Sequence, residues 1–242
     1  MILTRIHPAG AAETIDLDDP RSRDRLLELY RPPAGAWLRL NLITSVSGSA
    51  GGSDGTSETL TNPADRRLLG VIRELSDVVL IGAESLRREG YLLPSRSRLA
   101  VVTGSGDLSG HRLSPEIETG RMLVLCPASA VDAARASLGG RNVEIVVVAD
   151  VGGRLAVADI VDALHQRELL AIVCEGGPRL AAQLVAGQLV DEVCLSTSPT
   201  IGGTSLPLLV GAEAQTRSLE LGQLLVDDVS GLYARWTVTR GQ

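Results

Sequence analysis

The segment Glu175-Gly176-Gly177-Pro178 places a carboxylate and two glycines where a predicted strand gives way to a predicted helix. The apolar run at 169–174 indicates a buried strand, and Pro178 suits the first turn of a helix. Glycine N–H groups can approach a phosphate closely, and a helix N-terminus favours negative charge. Glu175 would lie at the carboxyl end of its strand, where open α/β sheets bind ligands. An ordinary tight turn has the same pattern, so the segment alone leaves both interpretations open.

A second glycine-rich turn, Thr103-Gly104-Ser105-Gly106, follows an apolar run at 99–102. It fits either a plain turn or a cradle of hydroxyl and N–H groups for a phosphate. The full G-x-G-x-x-G pattern with a following helix is missing, so a Rossmann fingerprint is not indicated.

The triplet Gly51, Ser53 and Gly55 matches the G-x-S-x-G pattern of α/β-hydrolase nucleophiles. That motif needs a strand directly before it and a helix directly after it, whereas the flanking segments are polar. The histidines that could serve as a base lie in surface-like segments: His7, His111 and His165. The sequence therefore disfavours a serine hydrolase.

Arginines are the only side chains of fixed positive charge, because the chain contains no lysine. An anionic ligand would have to be bound by arginine, by backbone N–H groups or by hydroxyls, and arginine suits bidentate phosphate contact. Arg73, near the end of a predicted helix, and Arg96, in a loop after Pro94, are the candidates, although each also fits a solvated surface arginine.

Strands and helices that could position these groups alternate along the chain. Continuous apolar runs indicate parallel strands covered by helices on both faces, and the last three strands lack intervening helices. The sequence therefore predicts an α/β fold with a mostly parallel central sheet, flanking helices and an antiparallel C-terminal finish. The predicted strands are 37–43, 78–81, 98–103, 121–125, 143–148, 169–174, 191–197, 218–226 and 231–239, and the helices begin near 18, 62, 83, 129, 156 and 178.

Composition narrows the class of protein. We expect a lead-in over 1–35 with one short helix, followed by a single domain over 36–242. The net charge of −6 and the scarcity of aromatic residues argue against nucleic-acid binding. No apolar run could span a bilayer, and the N-terminus lacks a basic segment leading into an apolar one, so we expect a soluble, cytoplasmic protein. The three cysteines fit buried thiols, with no metal-ligand spacing.

Several motifs, taken together and in order, resemble the pyrimidine reductase family, the reductase domain of bacterial riboflavin biosynthesis. Ser45-Val46-Ser47-Gly48 corresponds to its first motif, and the segment 77–82 to its Asp-Ala-Ile-Leu-Val-Gly strand. Glu175-Gly176-Gly177 is similar to its Glu-Gly-Gly signature, and Leu189-Val190-Asp191-Glu192 to its Leu-Val-Asp-Glu. The loop 199–203 resembles its Pro-x-x-x-Gly motif.

The resemblance implies a dihydrofolate-reductase-like fold, a homodimer and NADPH bound across the carboxyl ends of the strands. The pyrophosphate would lie on the Gly176-Gly177 turn, and the ribose 2′-phosphate near residues 103–105. The implied cofactor residues are Thr44, Thr59, Gly82, Ser85, Glu89, Thr103, Gly104, Ser105, Gly176, Gly177 and Pro178.

By the same resemblance, the substrate is a uracil that carries a phosphoribosyl group. Its ribosylamine opens to an imine, and hydride passes to C1′. The implied substrate residues are Ser57, Arg73, Leu93, Arg96 and Glu175, with the phosphate on the two arginines. Glu175 would bind ribose hydroxyls, and Glu89 or Glu175 would assist proton transfer.

The sequence also departs from the family pattern. Ser47 replaces the motif aspartate, Asn41 stands near the family lysine, and Gly90-Tyr91 replaces the usual Asp-Pro. The zinc deaminase signature often found upstream is missing, which suggests a stand-alone reductase. Two alternatives stay open: reduction of another heterocycle such as dihydrofolate, and a degenerate nucleotide-binding protein without turnover.

Overall fold

Strands and helices alternate through the middle of the chain. The structure is a computed structural model that describes residues 1–8, 10, 13–151, 154–211 and 216–239. The helices are α1 (Ser22–Tyr30), α2 (Pro63–Glu74), α3 (Ala83–Arg88), α4 (Val131–Leu138), α5 (Val157–His165) and α6 (Pro178–Ala186). The strands are β1 (Ile2–His7), β2 (Glu13–Asp16), β3 (Trp37–Ser45), β4 (Val78–Gly82), β5 (Arg98–Val102), β6 (Met122–Cys126), β7 (Glu144–Val147), β8 (Asp150–Val151), β9 (Arg154–Leu155), β10 (Ala171–Cys174), β11 (Glu192–Ser198), β12 (Leu219–Asp227) and β13 (Leu232–Val238).

One large sheet has the strand order β2-β1-β12-β13-β11-β3-β10-β4-β5-β6-β7. The strands from β11 to β7 run parallel to their neighbours, whereas β13, β12, β1 and β2 pair antiparallel. The predicted mostly parallel sheet with an antiparallel C-terminal finish is confirmed. Strand β10 lies between β3 and β4, so the carboxyl ends of these three strands meet at one edge of the sheet.

The segment predicted as a lead-in contributes two strands that the sequence did not reveal. Strand β1 pairs with β12, with Leu3 opposite Asp227, and β2 extends the sheet beyond β1. A short strand whose partner lies far along the chain has little local signal, because pairing is decided by distant residues. The division of the chain at residue 35 stays a prediction.

Helices cover both faces of the sheet and enclose two apolar layers. Leu26 of α1, Ile72 of α2 and Leu138 of α4 pack into one layer, and Ile160 of α5 and Leu184 of α6 into the other. The continuous apolar strands predicted from the sequence are therefore buried on both sides.

Local sequence fixes the helix that bears Arg73. Asn62 caps α2, since its side-chain oxygen accepts a hydrogen bond from the Asp65 N–H at 2.9 Å, and Pro63 occupies the first turn. The last turn then brings Arg73 beside the end of β10. This helix start was predicted from Asn62-Pro63 and is confirmed.

Two further findings bear on the class of protein. Within the described ranges, no helix is long and apolar enough to cross a membrane. Cys126, Cys174 and Cys194 are buried free thiols.

Candidate active site

A cavity of about 980 Å³ opens beside the carboxyl ends of β3, β10 and β4. Its walls come from the glycine turn after β10, from α2, from α3 and the loop that follows it, and from the polar loop after β3. This volume lies at the upper end of the range for small-molecule sites, so the cavity can hold a substrate together with part of a cofactor.

An ion pair between Arg73 and Glu175 forms one wall of the cavity. Arg73 donates from Nε to Oε1 and from Nη2 to Oε2 of Glu175, both at 2.7 Å. Nη2 also donates to the Tyr91 hydroxyl at 2.6 Å, and the guanidinium lies 5.0 Å from the centroid of the Tyr91 ring. The bidentate contact fixes the carboxylate plane, which makes Glu175 a rigid, oriented group.

Burial and charge act against each other in this pair. The Glu175 side chain is only 6% exposed, and burial raises its carboxyl pKa above the ordinary value although Arg73 opposes the change. Burial alone would lower the pKa of Arg73, but the hydrogen bonds and charge of Glu175 raise it. Arg73 therefore stays charged, and the pKa of the Glu175 carboxyl lies above that of an ordinary glutamate.

Glu89 is a second carboxyl group in the cavity, and it has no arginine bonded to it within the part of the chain that the structure describes. The side chain is open to the cavity, and Ser57 Oγ donates to its Oε2 at 3.3 Å. Enclosure by the cavity walls raises the Glu89 pKa, the Ser57 hydrogen bond opposes this, and the charge of Glu175 adds to the rise. Two carboxyl groups with raised pKa in one cavity are typical of acid–base sites.

The glycine turn can hold an anionic cofactor group. Gly176 has φ = +103° in a cis peptide with Gly177, and its carbonyl accepts a hydrogen bond from the Gly82 N–H at 3.0 Å. A β-carbon at Gly176 would meet no atom within 4 Å, so this side of the backbone is open. Among the residues that the structure describes, no side chain caps helix α6, and its first turn has no acidic residue. Its first N–H groups can therefore bind a pyrophosphate.

The cavity brings together ten of the residues predicted from the sequence. They are Ser57, Arg73, Ser85, Glu89, Leu93, Arg96, Glu175, Gly176, Gly177 and Pro178. Arg96 donates from Nη1 to Glu74 Oε1 at 2.6 Å, so it is already in an ion pair.

The other six predicted cofactor residues lie outside the cavity lining: Thr44, Thr59, Gly82, Thr103, Gly104 and Ser105. The Thr44 hydroxyl donates to backbone carbonyls, and the Thr59 hydroxyl donates to Asp54 at 3.0 Å. The Thr103 hydroxyl accepts from the Gly106 N–H at 3.0 Å, which closes the 103–106 turn. Their proposed contacts with a cofactor stay predictions.

The departures from the family pattern have structural roles. Ser47 Oγ accepts from the Gly202 N–H at 2.9 Å and donates to its carbonyl at 3.2 Å, which fixes the 199–203 loop beside the first motif. Asn41 lines the cavity, and Tyr91 contacts Arg73 as described above.

Arg112 is one of several cavity residues that the sequence interpretation did not name. It lies in a long polar loop between β5 and β6, where no periodic pattern marks a residue as facing a site. The missing lysine draws attention to all arginines but does not single out this one.

The fold and the cavity first define a class: α/β proteins with a dihydrofolate-reductase-like sheet and a ligand site at the strand ends. The chain belongs to the RibD C-terminal domain family, whose model matches residues 36–230. The resemblance to pyrimidine reductases stated from the motifs is thereby confirmed.

Relatives and solved structures agree with this assignment. The chain is 23% identical to the riboflavin biosynthesis protein RibD of Chlamydia pneumoniae over 72% of its own length and 49% of the relative. It is 24% identical to the chloroplastic riboflavin biosynthesis protein PYRR of Arabidopsis thaliana over 71% of its length and 29% of the relative. The chain thus spans half or less of these curated relatives.

Among solved structures, a pyrimidine reductase-like protein from Corynebacterium diphtheriae superposes with a TM-score of 0.69 at 24% identity, covering 85% of this chain and 93% of the other. The riboflavin biosynthesis reductase Rib7 of Saccharomyces cerevisiae gives a TM-score of 0.66 at 12% identity, covering 89% and 98%. At these identities the likeness establishes the fold.

Proposed function

We propose that this chain is an NADPH-dependent reductase in riboflavin biosynthesis, with a 5-amino-6-(5-phosphoribosylamino)uracil type of substrate. The observation that carries the proposal is the Glu175–Arg73 pair beside the Gly176-Gly177 turn, in a chain of the RibD C-terminal domain family. A substrate-facing carboxylate and a phosphate-binding turn then share one cavity.

The glycine turn, Ser85 and the start of α6 would hold the cofactor, which supplies a hydride when bound. The ribose 2′-phosphate would lie near residues 103–105. Because the family alone implies a nicotinamide cofactor, the preference for NADPH over NADH is part of the proposal. The ratio of their dissociation constants tests it.

Glu175 would orient the ribose of the substrate. Each of its oxygens accepts one hydrogen bond from Arg73 and keeps a lone pair for a substrate hydroxyl. Glu89 would hold the proton that ring opening needs, since its raised pKa favours the protonated form at higher pH than usual. Ser57 would keep the Glu89 carboxyl in place, and Leu93 and Arg96 would border the phosphoribosyl group. The protein thus chiefly positions the reactants.

We further propose that the protein is a homodimer in the cytoplasm. We expect it to bind a small molecule and neither nucleic acid nor membrane. Light scattering of the purified protein tests the oligomeric state.

The central experiment mixes the purified protein with NADPH and the phosphoribosylamino-uracil, and follows the loss of nicotinamide absorbance. We expect turnover, with a ribitylamine product identified by mass spectrometry. Dihydrofolate is the matched alternative substrate: turnover with dihydrofolate alone would reassign the enzyme to pterin reduction. Lack of NADPH binding would favour a nucleotide-binding protein without turnover.

A further inference from the structure

Five arginines of the described chain line the cavity, and four of them are in ion pairs. The pairs are Arg66 with Glu58, Arg73 with Glu175, Arg88 with Glu84 and Arg96 with Glu74. Arg112 has no carboxylate or other hydrogen-bonding partner among the described residues. Within the part of the chain that the structure describes, its guanidinium is therefore the one cavity arginine whose charge no carboxylate neutralises.

Gly90 provides the place where the Arg112 side chain lies. A β-carbon added at Gly90 would come within 2.9 Å of Cδ, 3.1 Å of Nη1 and 3.3 Å of Nε of Arg112. Gly90 also has φ = +59°, a backbone conformation that residues other than glycine and asparagine rarely adopt. A β-carbon at residue 90 would therefore displace the Arg112 side chain from this position.

The loop that bears Arg112 is fixed on both sides of it. Leu108 and Leu113 are buried, and the Leu108 N–H donates to Ser137 Oγ at 3.2 Å. Arg141 donates from Nε to the Ser114 carbonyl at 2.9 Å and from Nη2 to the Leu113 carbonyl at 3.3 Å. Arg112 is therefore presented by an anchored backbone, which lowers the entropy cost of binding a ligand.

We propose that Arg112, seated on Gly90, binds the phosphate of the phosphorylated substrate. A free guanidinium offers forked donors that match a phosphomonoester. Gly90 adjoins Tyr91 and the loop that carries Leu93 and Arg96, two of the residues implied for the substrate. The ligand is therefore the phosphate of the substrate and not that of the cofactor. This inference deepens the proposed function and rests on it for the identity of the substrate.

The inference also explains the Gly90-Tyr91 departure from the family pattern. Tyr91 accepts a hydrogen bond from Arg73 and fixes it against Glu175, whereas Gly90 admits Arg112. Tyr91 thus helps to hold Arg73 against the Glu175 carboxylate, and Gly90 leaves Arg112 available for the phosphate.

Calorimetric titration with ribose 5-phosphate tests the site without any turnover. We expect Arg112→Gln to weaken binding about 10- to 100-fold, the usual effect of losing a charge-assisted contact. Arg88→Gln is the matched control, since Arg88 is on the same rim but paired with Glu84, and we expect a change within about twofold. Equal weakening in both variants, loss only in Arg96→Gln, or no binding to the unmodified protein would overturn the proposal.

Gly90→Asn is an independent variant, because asparagine tolerates positive φ but adds a β-carbon where Arg112 lies. We expect it to weaken ribose 5-phosphate binding as Arg112→Gln does. Unchanged binding in Gly90→Asn would contradict the role of Gly90. Ribose without a phosphate should bind the unmodified protein and both variants with equal affinity. Weaker binding of ribose to the variants would show that the phosphate is not the group that Arg112 binds.

Kinetics separate this inference from the proposed function. With the phosphoribosylamino-uracil, Arg112→Gln should raise KM about 10- to 100-fold with little change in kcat, as expected for a binding contact remote from the reacting carbon. An equal fall in kcat, or a loss of NADPH affinity that NADH does not share, would overturn it. Absence of turnover together with Arg112-dependent ribose 5-phosphate binding would reject the proposed substrate and retain the phosphate site.

Discussion

Two clusters of arginine, glutamate and tyrosine occupy different parts of this molecule and behave in opposite ways. In the cavity, Arg73 pairs with Glu175 and lies over Tyr91. At the junction of α1 with β3, β11 and β13, Arg39 Nη2 and Arg235 Nε donate to Glu192 at 2.9 and 2.6 Å, and Arg235 lies 5.1 Å from the centroid of the Tyr30 ring.

The number of arginines paired with each glutamate among the described residues decides whether its carboxyl pKa is raised or lowered. The side chains of Glu192 and Glu175 are 2% and 6% exposed, so burial acts on both. For Glu192, burial is outweighed by Arg39 and Arg235, and its carboxyl pKa falls to about 2. For Glu175, one arginine does not outweigh burial, and the pKa rises. The same residue types therefore give a carboxyl group with a lowered pKa in one place and one with a raised pKa in the other.

The position of each cluster agrees with this chemistry. Arg39 and Arg235 also donate to the backbone carbonyls of Tyr30 and Leu29, so the triad fastens α1 to the sheet. Glu192 is not among the residues that line the cavity, whereas Glu175 is. We infer that the first cluster stabilises the fold and the second serves the reaction.

The largest effect is expected from Glu192→Gln. Removing this carboxylate leaves Arg39 and Arg235 buried without a counter-charge, which costs about 3–5 kcal/mol of unfolding free energy. Urea denaturation measures the loss, and Glu220→Gln, at an exposed position on β12, is the control with a change within about 0.5 kcal/mol. A loss as small as in the control would mean that the triad does not stabilise the fold.

Lowering the pH should reduce the stabilisation that Glu192 provides. A carboxyl group with a folded pKa of about 2 stabilises the protein fully above its unfolded pKa of 4.5, and this stabilisation disappears as the pH falls from 4.5 towards 2. The displacement corresponds to about 3 kcal/mol. Unfolding free energies measured across this range should decline less steeply in Glu192→Gln, and identical slopes would contradict the lowered pKa.

Glu175→Gln should give the converse result. Glutamine keeps the shape and one acceptor for Arg73, which has Tyr91 as a second partner, so we expect a stability change below about 1 kcal/mol. We expect kcat to fall about 100-fold because the charged group proposed to orient the substrate ribose is lost. NADPH affinity, measured by fluorescence titration, should be nearly unchanged. Unaltered turnover would remove Glu175 from the reaction.

The smallest effect concerns the tyrosines. Tyr91→Phe removes the hydroxyl that accepts from Arg73 but keeps the ring beneath the guanidinium. We expect kcat/KM to fall about 3- to 10-fold, which corresponds to about 1 kcal/mol, the net contribution of one typical hydrogen bond. Tyr30→Phe is the counterpart in the other cluster, and steady-state kinetics should show no change. Equal effects of the two substitutions would erase the functional distinction between the clusters.

Much of the scaffold was predictable because its signals are local. Alternating apolar and polar residues marked β3, and apolar runs marked β4 to β7 and β10. The change of pattern after Asp191 marked β11 to β13, and Asn62-Pro63 marked the start of α2. The strands β1 and β2 were not found, since their partners lie at the other end of the chain or in an equally weak segment. The pair of strands β8 and β9 was missed for a different reason, because two-residue strands carry no periodic pattern.

The sequence by itself determined the order of the helices and of strands β3 to β7 and β10 to β13, the glycine turn after β10 and the family, because each depends on neighbouring residues. It named Arg73 and Glu175 as candidates but not as partners, since they are 102 residues apart. Only the tertiary structure decided that, among the described residues, Glu175 pairs with one arginine and Glu192 with two. It also decided that Arg112 lies on Gly90 with no carboxylate bonded to it in the described part of the chain. Charge pairing and burial depend on distances through space, and these are set by packing and not by spacing along the chain.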